Sequence, residues 1–433
     1  MSALFARMKS LTAALAASFL FLGATLPSAR SQQAERDLAF RDVDVFDGSR
    51  MIRRTTVLVR RGRIRAVGRN VAIPPSAQVI DGRGKTLLPG LFDAHTHLGM
   101  MNGEQFLREA LDFGVTTELE MWGGETSLAL RKKMAAGGFS DMADLRTAGT
   151  GVTAPRGHPT QMGGPPSPTF APGDDAQAFV DARIAEGADY IKIIYEHAHP
   201  TLTKQQLEAV VAAAHRRKKL AVIHVTTQGE ARDAVGAGAD GLVHIFSDSP
   251  PAPGFAEFAA RHRVFVVPTL SIIETATGAS DKPWWQDEPH VGPYITPSMR
   301  RVLDRKFPPG FRPELKLNHA LAAVGALHRA GVPILAGTDA PGPGVAHGLG
   351  LHRELELLVR SGLMPIEALA SATSRPARAF GLRDRGRIAK GLRADLLLVD
   401  GDPTVDITAT RRIVGIWKLG IPHPRAALTR TAP

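Results

Sequence analysis

Short apolar runs alternate with alanine-rich helical stretches through the middle of the 433-residue chain, and this alternation limits the fold more than any other feature. Eight runs read as strands: LLPGLFDAH, GVTTELEMW, DLRTAGT, DYIKIIYE, LAVIHV, GLVHIF, VFVVPTL and PILAGTD. Between them lie segments such as TKQQLEAVVAAAHRRK and QGEARDAVGAGA, with apolar residues at helical spacing and a charged opposite face. Eight strand-helix units over roughly 290 residues match a (β/α)8 TIM barrel, an α/β fold with parallel strands inside a ring of helices. Alternation alone also permits a doubly wound open sheet.

The flanks differ from this middle. Residues 38–90 alternate apolar and polar positions between Asp-Gly and Arg-Gly turn signals, which reads as antiparallel sheet. The same texture returns in GRIAKGLRADLLLVDGDP and RRIVGIWKLG near the carboxyl end. The expected organisation is a composite β-sandwich from residues 32–90 and 381–433, enclosing a barrel over 91–380.

Residues 1–31 read as a cleavable signal peptide: Arg7 and Lys9, then the apolar LTAALAASFLFLGATL, then Ala29 and Ser31 in a small-x-small site. The apolar stretch is short for a bilayer span, so the expectation is a secreted or periplasmic protein with no stable membrane anchor. With Cys 0, no disulfide can form. The formal charge of +11 comes from scattered basic residues, and Trp 4 and Tyr 3 leave no aromatic stripe for stacking bases. Nucleic acid is therefore not an expected partner.

Polar residues end several of the apolar runs. His95 and His97 end the first, Lys192 lies in the fourth, His224 ends the fifth, His244 the sixth and Asp339 the eighth. In a barrel these positions share the carboxyl-terminal mouth of the strands, where catalytic groups sit. Alone, a strand-end histidine is more often a hydrogen-bonded structural residue, and a lysine in an apolar strand snorkels to water. Imidazoles, an amine and a carboxylate converging on one cavity make electrostatic sense around a cation.

This set, with the phrases LLPGLFDAHTHLG, GADYIKI, GTDAPGPGVAHGLGLHRELELLVRSGLMPIEALASATSRPARAFGL and GLRADLLLVDGDP, resembles the amidohydrolase superfamily. Within it, the chain is similar to the imidazolonepropionase-like and prolidase-like group, which includes ochratoxinase-related enzymes. The resemblance implies two divalent metal ions, zinc being expected. His95 and His97 would hold the more buried ion and His224 and His244 the other, with Lys192 bridging them after carboxylation by CO2. Asp339 would contact the buried ion and carry the catalytic proton. Asp93 is expected to play a supporting role.

The implied activity is hydrolysis of an amide in a small molecule, such as a dipeptide or an ochratoxin-like N-acyl amino acid. A cyclic amide, imidazolone or lactone hydrolase is the alternative, and a non-catalytic binding protein on the same fold a remote one. Candidate substrate contacts are His158 and Arg156 in APRGHPTQMGG, Tyr195, and His347. Relatives often read Gly-Gly-His where Arg156 and His158 stand, and carry an Arg-Asp pair where Glu118 and Glu120 stand, so those acids have no assigned work. Trp284 and Trp285 either pack on the barrel rim or form a lid. A homo-oligomer is expected.

Overall fold

The computed structural model describes residues 37–425 and 427, apart from 100, 101, 138, 164, 165 and 280–282. The expected leader, residues 1–31, lies outside the described residues. No helix among the described residues is long and apolar enough to cross a membrane.

The amino-terminal flank forms β1 (Leu38–Phe46), β2 (Met51–Arg60), β3 (Arg63–Gly68), β4 (Gln78–Asp81) and β5 (Lys85–Pro89). β1, β2 and β3 pair antiparallel through tight turns. β4 and β5, however, pair with β1 in parallel, which differs from the all-antiparallel expectation. The connection RNVAIPPSA before β4 is too long and proline-bearing for a tight hairpin, so the chain returns to the far side of β1 running the same way.

The middle forms β6 (Leu91–Thr96), β7 (Val115–Glu120) and β8 (Asp144–Thr147) as one parallel sheet. β9 (Ile191–Ile194), β10 (Ala221–His224), β11 (Gly241–Val243) and β12 (Phe265–Val267) form a second. Parallel bridges link Val152 with Ile193, Val266 with Ile334, and Thr96 with Ala340. The expected eighth strand, PILAGTD, is thus not a regular strand; bridges at Ile334 and at Ala340 just past its end hold it, with backbone bonds such as Ala94 N–H to the Ala336 carbonyl at 2.9 Å. Its chain turns at Asp339, where φ is 66°.

One buried cluster takes Phe92, Leu119, Ala148, Tyr190, Val222, Val243, Val267 and Leu335, a residue from or beside every one of these segments. The cluster ties the two parallel sheets and the PILAGTD segment together. Helices cover the outside; the one at Lys204–Arg216 starts at a Thr203–Gln206 capping box and buries Leu207, Val210, Val211 and Ala214. The molecule is a TIM-barrel-like α/β fold with an added β domain.

At the carboxyl end β13 (Leu396–Asp400), β14 (Ile413–Lys418) and β15 (Ile421–His423) join the first flank, because β13 pairs with β5. The result is one eight-stranded sheet drawn from both flanks. A further bridge between Arg63 and Arg393 ties β3 to the chain just before β13, so the sheet curls around its own core. There Phe40 and Trp417 meet edge to face at 4.7 Å, among Val43, Val57, Leu396 and Leu398. Burying each such side chain is worth about 1.5–3 kcal/mol.

Candidate metal centre

His95 lies next to last in β6 and His97 follows the strand. Their Nε2 atoms lie 3.3 Å apart, and Asp339 Oδ1 lies 3.4 Å from the first and 3.0 Å from the second. The β6–β7 register shifts between Asp93 and Thr96, a bulge of the kind that re-aims side chains beside sites. The chain around Asp339 reaches this position because residue 337 is glycine. A Cβ there would stand 2.4 Å from Val267 Cγ1 and 2.7 Å from the His95 amide nitrogen.

The His244 ring stands 4.5 Å from the His95 ring and 4.5 Å from the His224 ring, centroid to centroid. Lys192, on β9, is buried and lines the same cavity as His97, His224, His244 and Asp339. That cavity has a volume of about 1520 Å³.

The donor set fits divalent metal ions. Burial holds His95, His224 and His244 well below the ordinary imidazole range, so they are neutral and carry lone pairs. His244 Nδ1 lies 2.6 Å from the Thr269 hydroxyl, which also reaches the Pro268 carbonyl at 2.8 Å; with the hydroxyl proton on that carbonyl, Thr269 accepts from His244 Nδ1–H and Nε2 is left free as a ligand. His95 Nδ1 and His224 Nε2 are buried with no hydrogen-bond partner among the described residues. Burial acts to raise the Asp339 carboxyl, but His244, His97 and Lys192 outweigh it and hold the group below the usual carboxylate range. Burial pushes the Lys192 amine down to about 7.

Asp93 supports the centre through backbone rather than through an imidazole. Its buried carboxylate accepts from the His95 amide at 3.2 Å, the Thr338 amide at 3.0 Å and the Thr338 hydroxyl at 2.6 Å. Glu120, unassigned from sequence, lies behind His97, with Oε1 3.9 Å from His97 Nδ1. It accepts from the Trp122 amide at 2.5 Å and from the Thr147 hydroxyl, and burial raises its carboxyl to about 7.

Of the expected substrate contacts, His158 and Arg156 line the cavity. Gln161 Nε2 bridges His158 Nδ1 at 3.0 Å and His199 Nε2 at 3.1 Å. Tyr195 does not match its expected place: it lies outside the cavity lining, and its hydroxyl bonds Asp233 Oδ2 at 3.2 Å. His347 also differs. It is buried against Phe106, with Nδ1 2.9 Å from Glu118 Oε1, because a buried ring nitrogen and a buried carboxyl satisfy one another's hydrogen-bonding needs. This gives Glu118 its partner.

Trp285 packs with Phe113, Val291, Met299 and Leu349, and the Arg411 guanidinium lies 4.2 Å over the Trp284 ring. Both tryptophans therefore pack on the body of the fold, away from the cavity lining. Sequence reasoning missed Glu196, whose Oε2 is 3.4 Å from His224 Nε2, and Arg312, which bonds Glu196 Oε1. The signal for Glu196 was its place at the end of DYIKIIYE; Arg312, in an irregular segment, had none.

Fold and site define a class: barrel-like α/β proteins with a histidine and carboxylate centre of the kind that holds divalent metal at the strand mouths. The chain belongs to the amidohydrolase family, whose model matches residues 86–423, and it is a hydrolase acting on carbon–nitrogen bonds. It is similar to imidazolonepropionase of Cereibacter sphaeroides, 27% identical over 410 residues covering 86% of this chain and 93% of that protein. It is also similar to ochratoxinase of Aspergillus niger, 24% identical over 393 residues covering 78% of this chain and 75% of that protein. Among solved structures, a Xaa-Pro dipeptidase with bound methionine in the active site shares the fold. Its TM-score is 0.74 at 21% identity, covering 89% of this chain and 99% of that one.

Proposed function

We propose that the protein is an exported, binuclear-metal amidohydrolase on a (β/α)8 barrel that cleaves the amide bond of a small molecule, either a dipeptide or an ochratoxin-like N-acyl amino acid. One observation carries this reading: the convergence of His97, Lys192, His224, His244 and Asp339 on one cavity, with His95 directly behind. The cavity has room for substituents on both sides of an amide, since ligand pockets commonly measure about 300–1,000 Å³. Its walls include Trp122, Met162, Ile272, Phe307 and Phe311, and Arg156 offers a planar fork for a carboxylate.

An amine with a pKa near 7 is about half unprotonated at neutral pH. Lys192 Nζ can therefore attack CO2, forming an N–C bond and releasing a proton, to leave a carbamate anion with two oxygens for bridging. A divalent metal pair held by His95, His97, His224, His244, Asp339 and the carboxylated Lys192, zinc in this reading, would polarise the scissile carbonyl and acidify water. Asp339, kept ionised by its neighbours, takes the proton of the attacking water and delivers it to the departing nitrogen. His158 orients the substrate carbonyl or carboxylate from the cavity wall. Residues 1–31 are removed on export, and the mature chain assembles as a homo-oligomer.

Likeness to imidazolonepropionases over most of both chains favours a second reading, opening of a cyclic amide or lactone at the same site. Metal analysis of purified protein, with a panel of dipeptides, N-acyl amino acids and cyclic amides, separates the two. The first reading expects about two ions per chain, amine release from a linear amide, and loss of activity with chelator. Ring opening without cleavage of any linear amide would favour the second, and protein that retains no divalent metal would remove both.

A further inference from the structure

Glu196 has no role in the ligand set that the family resemblance implies, yet it stands within it. It lies two residues beyond β9, is buried, and places Oε2 3.4 Å from His224 Nε2. That separation exceeds a good hydrogen bond, and the buried His224 Nε2 has no hydrogen-bond partner among the described residues. Zinc bonds of about 2.0–2.1 Å at tetrahedral angles leave neighbouring ligand atoms roughly 3.3–3.4 Å apart. The same spacings recur from His95 to His97, at 3.3 Å, and from His95 to Asp339, at 3.4 Å.

The carboxylate is also prepared on one side only. Oε1 accepts from Arg312, which is itself fixed by Glu314 Oε1 at 3.0 Å and the Thr226 hydroxyl at 3.3 Å. A ligating carboxylate is commonly held through its other oxygen in this way, which fixes its direction. His158 completes the group: one donor atom each from His158, Glu196 and His224 lie within 4.8 Å of one another.

We infer that Glu196 is a ligand of the outer cation, bound through Oε2 beside His224 Nε2 and held by Arg312 through Oε1. The inference rests on the metal-centre reading above and adds a residue to it. It also makes Arg312, from the irregular segment after β12, a positioning residue for that cation.

Zinc affinity and stoichiometry, measured by elemental analysis and by competition with a chromophoric chelator, test this on the full chain. Wild-type protein is expected to hold two ions tightly. Glu196→Gln should keep the inner ion and lose more than about 100-fold in affinity for the outer one, beyond the 10–100-fold that follows loss of an outer supporting partner. Arg312→Met should fall within that smaller range. A crystal structure of zinc-loaded wild-type protein should place Oε2 about 2.0–2.2 Å from an ion, and this readout stands even if a variant fails to fold. A loss under 100-fold in Glu196→Gln, or Oε2 outside bonding range of any ion, overturns the inference alone. A wild-type chain that binds no zinc overturns the metal-centre reading itself.

Discussion

Asp93 and Thr338 are joined twice, by the Thr338 amide at 3.0 Å and its hydroxyl at 2.6 Å, and this pair fastens the end of the PILAGTD run to β6. The residue after Thr338 is Asp339, so the bond places that carboxylate against His95 and His97. Removing the Asp93 carboxylate leaves buried donors unpaired, which costs about 1–3 kcal/mol per group. Asp93→Ala should lower the unfolding midpoint in urea and weaken metal retention together, as denaturation and elemental analysis on one sample would show. Loss of stability with metal retention unchanged would show that the pair does not position Asp339.

Asp339 is the group assigned to proton transfer. Asp339→Asn keeps the shape and removes the basic oxygen, so kcat should fall about 10²–10⁴-fold. Turnover at saturating substrate, with metal content determined on the same preparation, checks this. Near-normal turnover would place the proton transfer elsewhere.

Gly337 sits between Val267 of β12 and the His95 backbone of β6. A methyl group would meet Val267 Cγ1 at 2.4 Å and the His95 nitrogen at 2.7 Å. Gly337→Ala should therefore destabilise the chain by about 1–3 kcal/mol and disturb the centre as well. Chemical denaturation measures the first effect and metal affinity the second.

His352 is buried, with Nε2 3.0 Å from the Phe113 carbonyl and Nδ1 2.9 Å from the Thr410 hydroxyl. Burial lowers its pKa from 6.5 to about 3. The unfolded chain thus binds a proton that the folded one refuses between those values. Its contribution to stability is whole above pH 6.5 and declines as pH falls toward 3. In His352→Gln the melting temperature should vary less steeply across that interval, and an unchanged slope would show that other groups carry the acid sensitivity.

Tyr195 bonds Asp233 and lies outside the cavity lining. Tyr195→Phe should leave KM unchanged and cost at most about 1.5 kcal/mol of stability. A several-fold rise in KM would restore it as a substrate contact.

The alternation of strand and helix patterns was readable because each strand buries both faces and each helix buries one stripe, and both leave a periodic trace. The positions of His95, His97, Lys192, His224, His244 and Asp339 were readable for a related reason: polar residues at the ends of apolar runs stand out against their neighbours. Arg312 carried no such trace. It lies among prolines and charges in a segment without regular structure, and only its contact with Glu196 gives it meaning. His347 misled because closeness in sequence to the strand-eight mouth says nothing about which way a buried ring turns.

From its sequence alone this chain determined its periodic elements and the residue types at their ends, since those depend on local spacing and on burial averaged over each element. Tertiary structure alone decided that Glu118 claims His347, that Glu196 faces His224, and that Trp284 and Trp285 pack against the body rather than over the cavity. Those outcomes depend on the distances and charges of groups far apart in the chain, which no local pattern records.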